Sequence, residues 1–251
     1  MHQPTLRVIE VLNYILSCRT PVTMADISKS LSIPKGTLSP ILQTLCELSY
    51  ITKDNHASYS PGLGAFVLGT QLNGRFSIIE YAKSKLDELV KAYAETCYFG
   101  TLENGNVLYL ASAESPNPLR MLVGVGNKLP AYATGIGKAL LCDMTKPQLE
   151  QLYHDGLKSL TPNTVCSFEQ LDTELKLAKE KGYTVEIEES TEHIRCFGVP
   201  VYKSGKIVAA ISIAFPVFRY REDMEEEVTQ KLIQCAADIG EMIEKTNTEF
   251  K

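Results

Sequence analysis

Apolar residues recur three and four positions apart over the first part of the chain, the spacing of amphipathic helices. Val8, Leu12, Ile15 and Leu16 share one face, and Pro21 ends the element. Thr23 is placed to cap a second helix carrying Met24, Ala25, Ile27 and Leu31. The turn Ser32-Ile33-Pro34 leads into a third, with Leu38, Ile41, Leu42, Leu45 and Leu48. Tyr50–Lys53 and Ala57–Ser60 then flank the polar tip Asp54-Asn55-His56, a strand–turn–strand signal. Three helices and a hairpin in this order predict a winged helix-turn-helix: one short helix braces, the next enters the major groove, and the hairpin reaches the backbone or minor groove.

Beyond Ser60 the pattern changes twice. Residues 61–74 are glycine-rich yet hold Leu63, Phe66 and Leu68, which reads as an ordered connector. Residues 75–95 predict a helix whose stripe is Ile78, Ile79, Ala82, Leu86, Leu89 and Tyr93. From Cys97 strands and turns dominate. Tyr98–Leu102 and Val107–Ala111 flank an Asn-Gly hairpin signal, and Leu119–Val123 reads as a further strand. Helices are expected over Gly135–Asp143, from the cap Ser167 to Gly182, and over Arg221–Lys245. Tyr183–Ile187, Arg195–Tyr202 and Ile207–Phe215 read as strands. The mixture lacks a regular βαβ rhythm. It predicts an α+β fold with a mostly antiparallel sheet and helices on its faces. The expected division is a DNA-binding domain at 1–62, a connector and linker helix at 63–95, and a separate α+β domain at 96–251.

Composition narrows this picture. Hydrophobic residues make up 44% and charged residues 22% of 251, a globular balance. The longest uncharged apolar run, Ile207–Phe218, is too short to span a bilayer. Arg7 and Glu10 interrupt the N-terminal apolar stretch, so no export signal is read there and a cytoplasmic protein without a membrane partner is expected. The seven cysteines are widely spaced with no Cys-x-x-Cys, which argues against a disulfide framework or a zinc finger. The net charge is −5, yet residues 1–60 hold five Lys/Arg against four Asp/Glu. A DNA-binding monomer with so little positive charge binds weakly, because phosphate neutralisation supplies much of the affinity. Oligomerisation remedies this.

The residues expected to face DNA are Lys35, Thr37, Ser39 and Gln43 on the third helix and Lys53, Asn55 and His56 at the wing. Each can reach base edges or phosphates. Pro40 falls inside the third helix, where it removes a hydrogen bond and crowds the preceding turn. Either the helix starts later or it is kinked.

Four dispersed motifs then carry a resemblance. Ala25-Asp26-Ile27-Ser28 with Ile33-Pro34-Lys35-Gly36-Thr37-Leu38, and Tyr59-Ser60-Pro61-Gly62, are similar to the N-terminal part of the IclR family of bacterial transcriptional regulators. Gly126-Asn127-Lys128-Leu129-Pro130 with Ala133-Thr134-Gly135-Ile136-Gly137-Lys138-Ala139, and Gly182-Tyr183, Glu188-Glu189, Ile194-Arg195-Cys196, resemble its C-terminal part. The family usually carries Ser at Gly36 and an aromatic or His, then Arg, at Ser39-Pro40. The loss of that Arg removes a DNA contact.

The resemblance implies a regulator, most simply a repressor, of double-stranded operator DNA, serving carbon-source catabolism. It implies a GAF/PAS-like C-terminal domain that binds a small carboxylate or aromatic acid, with no cofactor and no metal. Homodimers are implied, with pairing into tetramers through the sensor domain. Positions matching Leu129, Gly135, Ile136, Glu186, Cys196 and Ser212 line the pocket in members that bind 2-oxo acids. On their own terms, Gly135 and Gly137 open a helix, where backbone N–H groups suit an anion; they also read as plain turn glycines. A carboxylate at Glu186 repels an anionic ligand unless it is protonated or meets a hydroxyl. Ala214, where the family often has a second serine, points to a less polar or larger ligand. Leu6, Ile79 and Leu86 are expected at the dimer contact. The competing reading is a cysteine-based redox sensor or enzyme using Cys196 with His193.

Overall fold

In the computed structural model, residues 2–18, 20–70 and 73–248 are described. The chain divides into two compact units, Met1–Asn73 and Gly74–Lys251. The connector expected at 63–95 contributes one helix to each.

The first unit holds α1 (Gln3–Ser17), β1 (Val22–Thr23), α2 (Met24–Leu31), α3 (Lys35–Glu47), β2 (Ile51–Lys53), β3 (Ser58–Pro61) and α4 (Leu63–Thr70). Thr23 starts α2 through a reciprocal capping box with Asp26. Ser32 stops it in the left-handed conformation. The core takes Val11 and Ile15 from α1, Ile27 from α2, and Leu38, Leu42 and Leu45 from α3. Of the face expected on α1, Ile15 is buried, Val8 and Leu12 pack against the core, and Leu16 is exposed, with Val11 in its place. The wing is a three-stranded antiparallel sheet in the order β1-β3-β2. α3 begins at Lys35 and runs through Pro40, so a later start is excluded.

The second unit is built on a six-stranded antiparallel sheet in the order β6-β5-β4-β9-β8-β7. Its strands are β4 (Thr96–Glu103), β5 (Asn106–Ala113), β6 (Lys128–Pro130), β7 (Thr184–Ile187), β8 (Ile194–Lys203) and β9 (Lys206–Pro216). Its helices are α5 (Asn73–Tyr93), α6 (Gly135–Leu141), α7 (Lys146–Leu152), α8 (Phe168–Lys181) and α9 (Glu225–Thr246). Alternation along the strands gives the sheet two apolar faces. Phe99, Phe197, Ile211 and Ile213 face α5 and α9. Tyr98, Tyr109, Cys196, Ala210 and Ala214 face α6 and α8.

Two expectations fail here. Leu119–Val123 is not a strand. The segment joins no sheet ladder and is held by Tyr98, whose hydroxyl accepts from Val123 N at 3.0 Å and donates to Met121 O at 2.9 Å. Leu86 is fully buried in the α5 face of the core and cannot serve a dimer contact; Leu6 and Ile79 are half-buried.

Candidate DNA-reading face and effector wall

On α3 the buried stripe Leu38, Leu42 and Leu45 fixes what is left outside. Lys35, Ser39 and Gln43 are exposed, four residues apart, and form one row. Thr37 lies off that row, half-buried. Gln43 donates to Glu47 at 2.9 Å, which steadies its amide on the helix surface. At the wing tip Asp54 Oδ1 accepts from His56 N and Ser58 N, both at 2.8 Å, closing the turn. These bonds hold the Asp54 carboxyl below its ordinary range. Asn55 and His56 are exposed beside it, and the Lys53 ammonium sits 5.7 Å from the Tyr59 ring.

The six effector-site candidates lie on the α6 side of the sheet: Gly135, Cys196 and Glu186 adjoin one another, while Leu129 stands on β6, at the opposite edge from β7. Glu186 on β7 is the cross-strand partner of Cys196 on β8. Ser212 on β9 lies between Gly198 of β8 and Tyr98 of β4. Leu129 on β6 pairs with Val107 and packs into the same cluster as Ile136. A Cβ on Gly135 would lie 2.9 Å from Cys196 Cβ, so the start of α6 is pressed onto β8. Thr184 Oγ1 ties that contact by donating to Gly135 O at 2.7 Å.

This geometry explains the glycines. A Cβ on Gly137 would meet Ala131 O at 2.2 Å, and one on Gly198 would meet Gly135 O at 2.2 Å. Close approach of backbone to backbone requires them, with or without a ligand. Thr134 caps the helix by accepting from Gly137 N at 3.1 Å.

The polar members of the wall are buried. Glu186 is fully enclosed; its Oε1 accepts from Glu189 N at 2.5 Å and Ser190 N at 3.1 Å, while Oε2 has no partner. Burial raises its carboxyl to about 7, with the Glu189 carboxyl adding to the rise, against the pull of those two N–H bonds and of a hydrogen bond from the Cys196 thiol. Ser190 Oγ is likewise buried and unpartnered. Behind the wall Lys138, itself buried, bonds Glu174 at 2.7 Å and Glu189 at 2.5 Å. A cavity of about 470 Å³ opens beside Leu129 and Ile194, bounded by Met121, Leu122, Val123 and Phe218. Ile194 precedes Cys196 by two residues on the same strand face.

Ser190 and Tyr109 were not among the sequence candidates. Tyr109 alternates on β5 with half-buried residues and reads as core; Ser190 closes the acidic run 186–189 and reads as loop. Neither carries a local signal of a site.

The thiol–imidazole reading is corrected. Burial pushes the Cys196 thiol well above its ordinary value, with the Glu186 carboxyl adding to the effect. That environment suppresses a thiolate. His193 is exposed and faces Glu188 at 3.7 Å. Among the described residues no cluster suited to a metal ion occurs, and no helix is long and apolar enough to cross a membrane.

A winged helix-turn-helix with an exposed polar row on its recognition helix, joined to an α+β domain, defines a DNA-binding regulator. Residues 5–55 match the IclR helix-turn-helix domain, and residues 70–241 match the domain described as bacterial transcriptional regulator IclR C-terminal. The chain is 31% identical over 223 residues to the HTH-type transcriptional regulator KdgR of Escherichia coli K12, covering 87% of this chain and 84% of that protein. It is 30% identical over 237 residues to the HTH-type transcriptional repressor AllR of Salmonella typhimurium, covering 93% and 87%. An IclR transcriptional regulator from Alicyclobacillus acidocaldarius has the same fold, with TM-score 0.83 at 24% identity over 96% of this chain and 99% of that one. So does an IclR homologue from Microbacterium hydrocarbonoxydans complexed with 4-hydroxybenzoate, with TM-score 0.84 at 21% identity over 96% and 99%. The chain belongs to the IclR family of transcriptional regulators, and its relatives are regulators, not enzymes.

Proposed function

We propose that the chain is a repressor whose operator binding is controlled by a small organic acid seated against the wall of Glu186, Cys196 and Ser212, in the service of carbon-source catabolism. The observation that carries this is the polar pair left without partners in a buried wall, Glu186 Oε2 and Ser190 Oγ. Buried polar groups are ordinarily satisfied, so a ligand oxygen fits there. The cavity beside Leu129 and Ile194, which Glu186, Cys196 and Ser212 do not line, offers the apolar side chains of Met121, Leu122, Val123 and Phe218 to the rest of the molecule. A relative of the same fold complexed with an aromatic acid supports that ligand class.

Residues 1–62 act as the DNA-binding domain, 63–95 as the connector and 96–251 as the effector-binding domain. Lys35, Thr37, Ser39 and Gln43 address the major groove, and Lys53, Asn55 and His56 the flanking backbone. A second copy of the chain supplies the second half-site. Its contact uses apolar side chains that the first unit leaves exposed, Ile9 and Leu16 on α1 and Leu63, Phe66 and Leu68 on α4. The ligand acts by binding DNA-competent and incompetent arrangements with different affinity.

The test is capture and sequencing of genomic fragments by the purified chain at moderate salt, with and without added organic acids. Enrichment of one or a few palindromic sites, relieved by an acid, is the expected result. No enrichment under either condition by a folded protein overturns operator binding; enrichment indifferent to every acid overturns effector control.

A further inference from the structure

Glu186 presents two unequal oxygens: Oε1 holds two backbone N–H donors and Oε2 holds none. A buried carboxylate needs a cation or hydrogen bonds on both oxygens; otherwise it takes up a proton. The groups facing Glu186 supply no positive charge. From β8 comes the Cys196 thiol, from β5 the Tyr109 phenol, and from the turn after β7 the Glu189 carboxyl. Burial pushes the Cys196 and Tyr109 groups upward, so both are neutral. The ammonium of Lys138 on α6 is taken by Glu189 and Glu174.

We propose that the wall is a proton-coupled carboxylate site: Glu186 binds as the neutral acid, donating from Oε2 to the ligand carboxylate, so that each monocarboxylate enters with one proton. The proposal rests on the effector reading of this wall. An ionised Glu186 would set two like charges side by side in an apolar setting. A neutral one makes a charge-assisted O–H···O⁻ bond and gives Oε2 its missing partner. The proton balance is one proton from solvent onto Glu186 for each ligand bound above the carboxyl's midpoint. The chemistry favours monoanions: one monoanion entering with one proton leaves the net charge of the wall unchanged, whereas a dianion with one proton adds a negative charge to an apolar setting. It also makes the regulator respond jointly to metabolite and acidity, with effector occupancy rising as pH falls.

The full chain and its Glu186→Gln variant are screened against acetate, pyruvate, benzoate and 4-hydroxybenzoate by thermal shift at pH 6 and pH 8. Acids that bind are taken to calorimetry in buffers of different ionisation enthalpy. For the wild type the dissociation constant is expected to rise about tenfold from pH 6 to pH 8, with uptake of about one proton per ligand at pH 8. Glu186→Gln, whose amide donates from the same position, binds with one affinity at both pH values. Binding by the wild type without pH dependence or proton uptake overturns the coupling and leaves the acid site standing. PH dependence retained in Glu186→Gln assigns the proton elsewhere and overturns it as well. If none of the four acids binds either protein at either pH, the acid site and the coupling both fail.

Discussion

At the scale of single residues, Glu186 makes the stability of the protein depend on pH even without ligand. Its carboxyl stands at about 7 in the folded chain against an ordinary 4.5. Between those values the folded chain holds a proton that the unfolded chain has released. The contribution is therefore full below the unfolded value and lost as pH rises through the folded one. The loss is on the order of 3 kcal/mol once both midpoints are passed. Glu186→Gln cannot ionise and keeps an oxygen for the N–H groups of Glu189 and Ser190. Urea unfolding at pH 5 and pH 8 is the check. The variant is expected to gain on the wild type between pH 5, where only a small part of the contribution has been lost, and pH 8, where nearly all of it has; an unchanged difference would mean that the carboxylate is solvated in the folded state. Gly135 is a poorer site for substitution, since any side chain there meets Cys196 first and damages packing whatever the ligand does.

At the scale of elements, legibility followed the range of the forces involved. The turn at Asn104-Gly105 was readable because two adjacent left-handed residues, φ 49° and 76°, are what a tight hairpin needs and what Asn-Gly supplies. Thr23 and Ser167 marked helix starts for an equally local reason. Helix α4 was not readable: it contains Gly64 and Gly69, and Gly64 is fixed by its approach to the Leu48 and Ser49 backbone, a tertiary cause. Leu119–Val123 reads as a strand, but its Met121 carbonyl and Val123 N–H are taken by the Tyr98 hydroxyl, a tertiary contact with no local signal. The wall was assembled from β6, α6, β7, β8 and β9, elements far apart in sequence, so family resemblance reached its members and periodicity did not.

Pro40 sets a further test at this scale. It denies a donor to the Gly36 carbonyl inside α3, a defect worth up to about 3 kcal/mol in a regular helix. Its own carbonyl accepts from Thr44 Oγ1 at 2.9 Å, and its side chain is exposed. Pro40→Ala restores the missing bond without disturbing the core. Thermal unfolding is expected to move upward; an unchanged midpoint would show that water already satisfies the Gly36 carbonyl.

For the whole molecule, charge and apolar surface lead to the same arrangement. The first sixty residues carry almost no net charge, so few phosphates can be neutralised by one copy. The first unit also leaves Phe66 69% exposed and Leu63 76% exposed on one short helix. The proposed pairing of two copies would cover that surface and double the phosphate contacts at once. The two readings of Lys35 then differ in a measurable slope. Each lost phosphate contact lowers the dependence of log affinity on log salt by about 0.9. Lys35→Ala should therefore flatten the slope by about 1.8 if two copies bind a palindrome, and by about 0.9 if one copy binds alone. A Leu63→Glu, Phe66→Glu variant should sediment as a monomer and lose operator affinity by more than Lys35→Ala does. If it remains a dimer, the contact lies on another surface. If it becomes a monomer yet binds the operator as tightly as the parent, pairing is not what makes so weakly charged a domain hold DNA.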